Sequence, residues 1–317
     1  MFSPDTRNTH IFLYHATFSQ VPEELSKGLH NVAPDILEQQ VRFMLGHFDC
    51  LTVDELLALP RKKAEGKFAV TFDDAYKCVM EESVNRLLAL GVPFTVFVNT
   101  ATMQGKPFWR DKVRLLMSRN LVKDFLAQLP DGHPLKTISP KKFYKASKSP
   151  EINSREVDAR MDDFFRRTGI TLPKAAHCVE HPEQLPRHKL ISYGNHSHSH
   201  YVLSSLSPAD QRQDIGTDRD ILLRHDLHQS RIFSVPFGEE RDFTPDTTDI
   251  LVELGYKGFV YSRNRLNPAA HGNGQMVKGR TTDGLPGMER YKVPDSLAGL
   301  QEHIRELEKD TQLTERA

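Results

Sequence analysis

Short apolar runs alternate with amphipathic stretches along most of the chain. Residues 11–15, 68–72 and 94–98 are each five residues of aliphatic, β-branched or aromatic character. They are too short for helices and are bounded by polar or breaking residues, so they predict strands. Between them the period changes. Over residues 34–47, Ile36, Leu37, Val41, Met44 and Leu45 share one side of a 3.6-residue repeat and predict an amphipathic helix. Thr52-Val53-Asp54-Glu55 reads as a capping box that opens a short helix ending at Leu59. A further helix is expected over residues 76–90, where Gly91 and then Pro93 supply the stop.

The alternation pauses between about residues 111 and 188. That stretch is rich in Lys, Arg and Asp and predicts several short helices without a strand. We read it as a mostly helical insertion that projects from the domain. Beyond it the pattern resumes, with strands over 190–193, 231–235 and 257–261 and helices over 208–224, 246–254 and 296–308. Residues 264–275 are rich in Asn, Gly and Pro and predict a loop. Strands separated by helices of ten to fifteen residues imply parallel βαβ units, so the fold class is α/β, in one domain spanning 1–317.

Composition narrows the functional classes. Lys+Arg and Asp+Glu both number 42, and this balance argues against a general nucleic-acid or anionic-membrane binder. No apolar run approaches the length of a membrane span, which leaves at most peripheral membrane contact. Three cysteines without a CxxC spacing indicate neither a disulfide framework nor a zinc ribbon. With a polar N-terminus lacking the regions of a signal peptide, a cytoplasmic location is expected.

The chemistry-bearing residues fall just past predicted strand ends. His15 follows the first strand and Asp73-Asp74 the second. His196-Ser197-His198-Ser199-His200 and Pro236-Phe237-Gly238 follow later ones. In a parallel α/β barrel those positions converge on one face. An aspartate with two imidazoles four residues apart suits a divalent cation with an open position, and the second aspartate is then free to act as a base. Each feature alone has an ordinary reading: a helix N-cap, a solvated loop, an edge histidine. Together those readings must all hold at once. Trp109, the only tryptophan, follows a strand and either stacks on a sugar ring at the barrel mouth or packs in the core.

Thr71-Phe72-Asp73-Asp74 resembles the first motif of the polysaccharide deacetylases, the NodB-homology family or carbohydrate esterase family four. Gly194-Asn195-His196-Ser197-His198-Ser199-His200 resembles the second, and Tyr14-His15 with Phe108-Trp109 resembles a subset of the family. The resemblance implies a distorted (β/α) barrel and metal-dependent removal of an N-acetyl group from an amino sugar. It assigns Asp74, His196 and His200 to the metal, zinc in most members, and Asp73 to the base. The backbone N–H of Phe237 becomes the oxyanion donor. Ser197 becomes a brace for the histidine loop.

Two departures follow. The third family motif begins with an arginine that pairs with the base, and Ser234 stands there instead; Arg280 or Arg110 would have to substitute. The late Leu-x-His motif that supplies the acid is missing, which leaves His15 as the first substitute and His271 and His303 behind it. The implied substrate is a carbohydrate intermediate, as in surface-polysaccharide assembly. A deformylase or amidase acting on a non-sugar amide, or a relative that binds a glycan without turnover, would use the same residues.

Overall fold

A curled sheet runs through the whole molecule, and its order explains where every site residue ends up. The computed structural model describes residues 2–60, 63–172, 177–227, 229–268 and 274–316. β1 (Asn8–Tyr14) leads to α1 (Pro34–Leu45), the short β2 (Asp49–Cys50), α2 (Val53–Ala58) and β3 (Lys67–Phe72). A π-turn at Val79–Ser83 opens α3 (Val84–Ala89), and β4 (Phe94–Val98) follows. Four helices come next: α4 (Trp109–Ser118), α5 (Val122–Ala127), α6 (Phe143–Ala146) and α7 (Ser154–Thr168). Alternation then returns with β5 (Ile191–Asn195), α8 (Pro208–Arg224), β6 (Gln229–Ser234), α9 (Pro245–Glu253) and β7 (Gly258–Val260). The chain ends with β8 (Asn267–Pro268), β9 (Gln275–Val277), β10 (Leu285–Met288), β11 (Tyr291–Lys292) and α10 (Leu297–Arg316).

Local sequence sets many of these boundaries. Thr52 accepts from the Glu55 N–H and Glu55 reaches back to Thr52, the reciprocal capping box read from the sequence. α8 and α9 each start with a capping hydroxyl, Ser207 or Thr244, followed by proline at the first helical position.

The ladder runs β11-β1-β3-β4-β5-β6-β7-β10-β9. Pairing is parallel from β11 through β10, and β9 adds antiparallel to β10. This is the distorted (β/α) barrel expected from the sequence. Its seam is unusual: β10 pairs with β7 and β11 pairs with β1, yet only Glu289 and Arg290 separate β10 from β11. The chain itself crosses the gap that hydrogen bonds leave open.

Side chains alternate across a strand, so Ala69, Thr71 and Asp73 share one face, as do Ile232 and Ser234. Ile11, Ala69, Phe97, Ile232, Val260 and Met288 form one buried cluster with Val53 and Leu56 of α2. That cluster plugs the barrel beneath the polar residues at the strand C-termini. On the outer face, Phe12, Phe68, Val70, Phe72 and Val96 pack with Leu37 and Val41 of α1 and Leu300 and Ile304 of α10.

The helices between β4 and β5 do not project from the domain. Val113, Leu116, Phe125, Phe143, Val157, Met161 and Phe164 belong to the same cluster as the barrel strands and α1. The polar surface of the segment hid an apolar stripe repeated from helix to helix. Of residues 264–275, expected as loop, Asn267–Pro268 form β8 and pair with β1, Gln275 begins β9, and 269–273 lie outside the described residues.

Close packing inside the barrel gives a direct test. A Cβ on Gly194 would lie 2.5 Å from Cδ1 of buried Phe97. Gly194→Ala should therefore lower stability by about 1–3 kcal/mol through overpacking, read as a lower urea midpoint at unchanged m-value. An unshifted midpoint would mean that the Phe97 ring has room to move.

Candidate active site

Asp73 and Asp74 leave the end of β3 through a backbone reversal: Asp74 and Ala75 have φ of 71° and 49°. The Asp73 N–H donates to the Tyr14 carbonyl at 3.0 Å, which ties the turn to β1. The two carboxylates then meet different neighbours. Asp73 receives both arms of Arg290, Nη1 on Oδ1 and Nη2 on Oδ2, each at 2.8 Å. The Ser234 hydroxyl donates to Asp73 at 3.3 Å. Arg290 is 0% exposed and spends its remaining donors on the Tyr261 carbonyl and the hydroxyls of Thr71, Ser234 and Ser262. Burial alone would raise Asp73, but the charges of Arg290 and His196 and these hydrogen bonds outweigh it and hold the carboxyl below its usual range.

Asp74 has no such partner. Its Oδ1 is buried without a hydrogen bond among the described residues. It lies 3.4 Å from His200 Nε2 and 3.7 Å from His196 Nε2. Burial and the neighbouring Asp73 charge push Asp74 up to about 8. His196 Nδ1 donates to the Ser234 carbonyl at 2.8 Å, which leaves its Nε2 as a lone pair facing the carboxylates. Burial lowers both imidazoles, His200 the further because His196 and Arg110 add to it.

The histidine loop is not helical. Ser197 and His200 adopt left-handed φ of 60° and 54°, and hydrogen bonds fix the turn. The Ser197 hydroxyl accepts from the His200 N–H at 3.1 Å, and the Asn99 side chain donates to the carbonyls of His196 and Ser197. His198 turns away to the Thr100 hydroxyl. One donor atom from each of Asp74, His196 and His200 lies within 4.8 Å of the others, a spacing that could hold a cation. An orphaned carboxylate oxygen beside the Nε2 atoms of two imidazoles whose charged form burial disfavours fits a divalent ion of the zinc type.

The remaining residues separate. Phe237 has φ of 65°, and its N–H has no hydrogen-bond partner among the described residues. Its ring stacks edge-on against His200 with centroids 4.7 Å apart. Trp109 is 2% exposed, too deep to stack on a sugar; its indole N–H donates to the His200 carbonyl at 2.8 Å and buttresses the loop from behind. Arg280 is not at the site: it pairs with Asp246 at 2.9 Å. Arg110 bonds Ser147 and Tyr144, not Asp73. His303 sits on α10 against Tyr291, and His271 lies outside the described residues.

His15 lies at the site's mouth, its Nδ1 3.1 Å from His30 Nδ1. His30 Nε2 donates to the Val293 carbonyl, so a neutral His30 accepts from His15 Nδ1–H and leaves the His15 Nε2 unprotonated. Burial, His30 and the cations Lys292 and Arg290 hold His15 well below its usual value.

Arg290 and His30 are the participants that sequence reading missed. Arg290 lies two residues past Met288, whose side chain faces the barrel interior, and that alternation was the one signal available. Arg290→Met should leave Asp73 buried without a counter-ion and cost about 3–5 kcal/mol, measured by urea unfolding. Arg290→Lys, which keeps the charge and loses the fork, should fall between. An unchanged midpoint for Arg290→Met would remove the pair from the barrel's support.

Comparison with known proteins bears on the fold and on part of the chain. A family model described as polysaccharide deacetylase matches residues 176–259. No curated protein sequence matches significantly. Among solved structures, the deacetylase PplD of Streptococcus pyogenes, in complex with acetate, superposes with a TM-score of 0.55 at 16% identity, covering 95% of this chain and 99% of that one. IcaB from Ammonifex degensii gives 0.50 at 16% identity, covering 94% and 97%. A de-N-acetylase from Aggregatibacter actinomycetemcomitans gives 0.50 at 10% identity, covering 93% and 99%.

Proposed function

From a chain with the fold of the polysaccharide deacetylases and that family's pattern over residues 176–259, we propose a metal-dependent hydrolase that removes N-acetyl groups from an amino-sugar substrate. The observation that carries the reading is the convergence of Asp74, His196 and His200 beside a second carboxylate held ionised by Arg290.

Asp74 Oδ1, His196 Nε2 and His200 Nε2 would hold the cation. When bound, a divalent ion supplies Lewis acidity that polarises an amide carbonyl and makes water a better nucleophile. Asp73, held by the Arg290 fork 3.5 Å from His196 Nε2, would take the proton from the attacking water. The unpartnered Phe237 N–H would donate to the oxygen of the acetyl carbonyl as it gains charge. His15, neutral with a free Nε2, is assigned the relay that returns the proton from Asp73 to the departing amine. The products are acetate and the free amine.

Purified protein should contain about one zinc-like ion per chain by elemental analysis. Asp74→Asn or His200→Ala should lose that ion. Asp73→Asn should keep it while acetate release falls by about 10²–10⁴-fold. Undiminished turnover in Asp73→Asn would remove Asp73 from the base role. Release of formate or ammonia in place of acetate would move the reading to a deformylase or amidase.

A further inference from the structure

Three cations flank the site around Phe237 and His15, and among the described residues none of them is ion-paired with a carboxylate. Lys148, just past α6, is half-buried, with Nζ 5.0 Å from the centroid of the Phe237 ring and 5.6 Å from that of Tyr144. Beneath it lies buried Arg110, its guanidinium 4.7 Å from the rings of Trp109 and Tyr144 and 5.5 Å from Phe237. Among the described residues Arg110 donates to the Ser147 hydroxyl and the Tyr144 carbonyl. Lys292 stands exposed on β11, near enough to His15 and His30 to lower both. Among the described residues none of the three forms an ion pair with an acid. Arg114, by contrast, is paired with Asp111 at 2.6 Å.

Among the described residues the acids that face this group are few, and one is the Tyr144 phenol, which, against its burial, Arg114, Arg110 and Lys148 pull down to about 8. Asp74 belongs to the ligand set, Asp295 lies in solvent beside His30, and Asp242 is buried and pushed up to about 6 by that burial. Lys148 is pushed down to about 8 by burial and by the Arg110 charge. A chain of zero formal charge has thus gathered uncompensated positive charge at one place, around a ring that touches His200. Half-burying an ammonium without a partner carries a cost that an arriving anion would offset.

We propose that the N-acetylated sugar taken by this site carries an anionic group, a phosphate or a carboxylate, on the ring bearing the amide or on its neighbour, and that Lys148 binds it. Lys292 attracts the same group at the rim, and Arg110, pinned among aromatic rings, adds its field from below. The half-buried faces of Phe237 and Tyr144 are left to the sugar. This inference rests on the deacetylase reading, and it locates substrate choice in the helical segment between β4 and β5.

The test uses the zinc-loaded, full-length Asp73→Asn protein, titrated calorimetrically with three sugars. These are a neutral N-acetylglucosamine trimer, the same trimer phosphorylated, and an oligosaccharide alternating N-acetylglucosamine with glucuronic acid. At least one anionic sugar should bind about tenfold tighter than the neutral trimer, with the preference shrinking as salt is raised. Which one does so separates phosphate from carboxylate. Adding Lys148→Gln should bring the anionic-to-neutral ratio to about one, while Lys148→Arg should keep most of it. Equal affinity for all three sugars, no binding of any, or a preference that survives Lys148→Gln would overturn the inference. Acetate release by the unmutated protein is read separately. Acetate from the neutral trimer without anionic preference sinks only the anion site; a metal-loaded protein that releases acetate from none of the sugars sinks the deacetylase reading instead.

Discussion

One buried ion pair ties the closure of the barrel to the charge state of its site. Asp73 stands at the end of β3, and Arg290 fills the two-residue step by which the chain passes from β10 to β11. A carboxylate this deep would ordinarily take up a proton, and a guanidinium this deep would be costly to leave alone. Each removes the other's penalty, and the geometry is bidentate with the remaining donors satisfied by Thr71, Ser234, Ser262 and the Tyr261 carbonyl. The seam that backbone hydrogen bonds do not close is therefore closed by a side-chain network, and that same network keeps a carboxylate available as an acceptor of protons.

The neighbouring aspartate has the opposite fate, and the difference divides the labour. Two carboxylates on consecutive residues, both buried, cannot be ionised with equal ease. The counter-ion goes to Asp73, so Asp74 carries the unrelieved burial and the repulsion of its neighbour. A cation shared with His196 and His200 is the remedy that this donor set offers. Backbone strain surrounds the same place. Asp74, Ala75, Ser197, His200 and Phe237 all hold positive φ, a conformation that side chains disfavour by roughly 1–3 kcal/mol each. Packing of Trp109, Tyr201 and Phe237 around His200, together with the Asn99 and Ser197 hydrogen bonds, holds these residues in place.

Much of this was legible before any coordinates. The apolar period placed β1, β3, β4, β5, β6 and β7 within a few residues, and Thr52 and Gly91 marked helix ends by their capping chemistry. Convergence of Asp74, His196 and His200 followed from their positions past strand ends. What stayed hidden has a common cause. β10 and β11 hold four and two residues, too few for a period to register, so Arg290 between them carried no label. Arg280 looked equivalent in sequence but stands on the surface with Asp246. Trp109 could have faced the sugar or the core, and only the tertiary position of α4 decides that it faces the core. The charged surface of α4 to α7 masked an apolar stripe that belongs to the main core.

That last point bears on how the barrel and its helical segment share the work. The strand ends and the steps just beyond them supply the two aspartates, the two histidines, Ser234, Phe237, His15 and Arg290 of the candidate site. The segment between β4 and β5 supplies Trp109, Arg110, Tyr144 and Lys148, all gathered around Phe237 and His200. None of these four reaches Asp73 or Asp74 by a hydrogen bond among the described residues. A change at Tyr144 or Lys148 would alter the field and shape around Phe237 without removing a hydrogen bond to Asp73, Asp74, His196 or His200. The segment is anchored by an apolar core that it shares with the strands, and that packing fixes where those groups stand relative to the site.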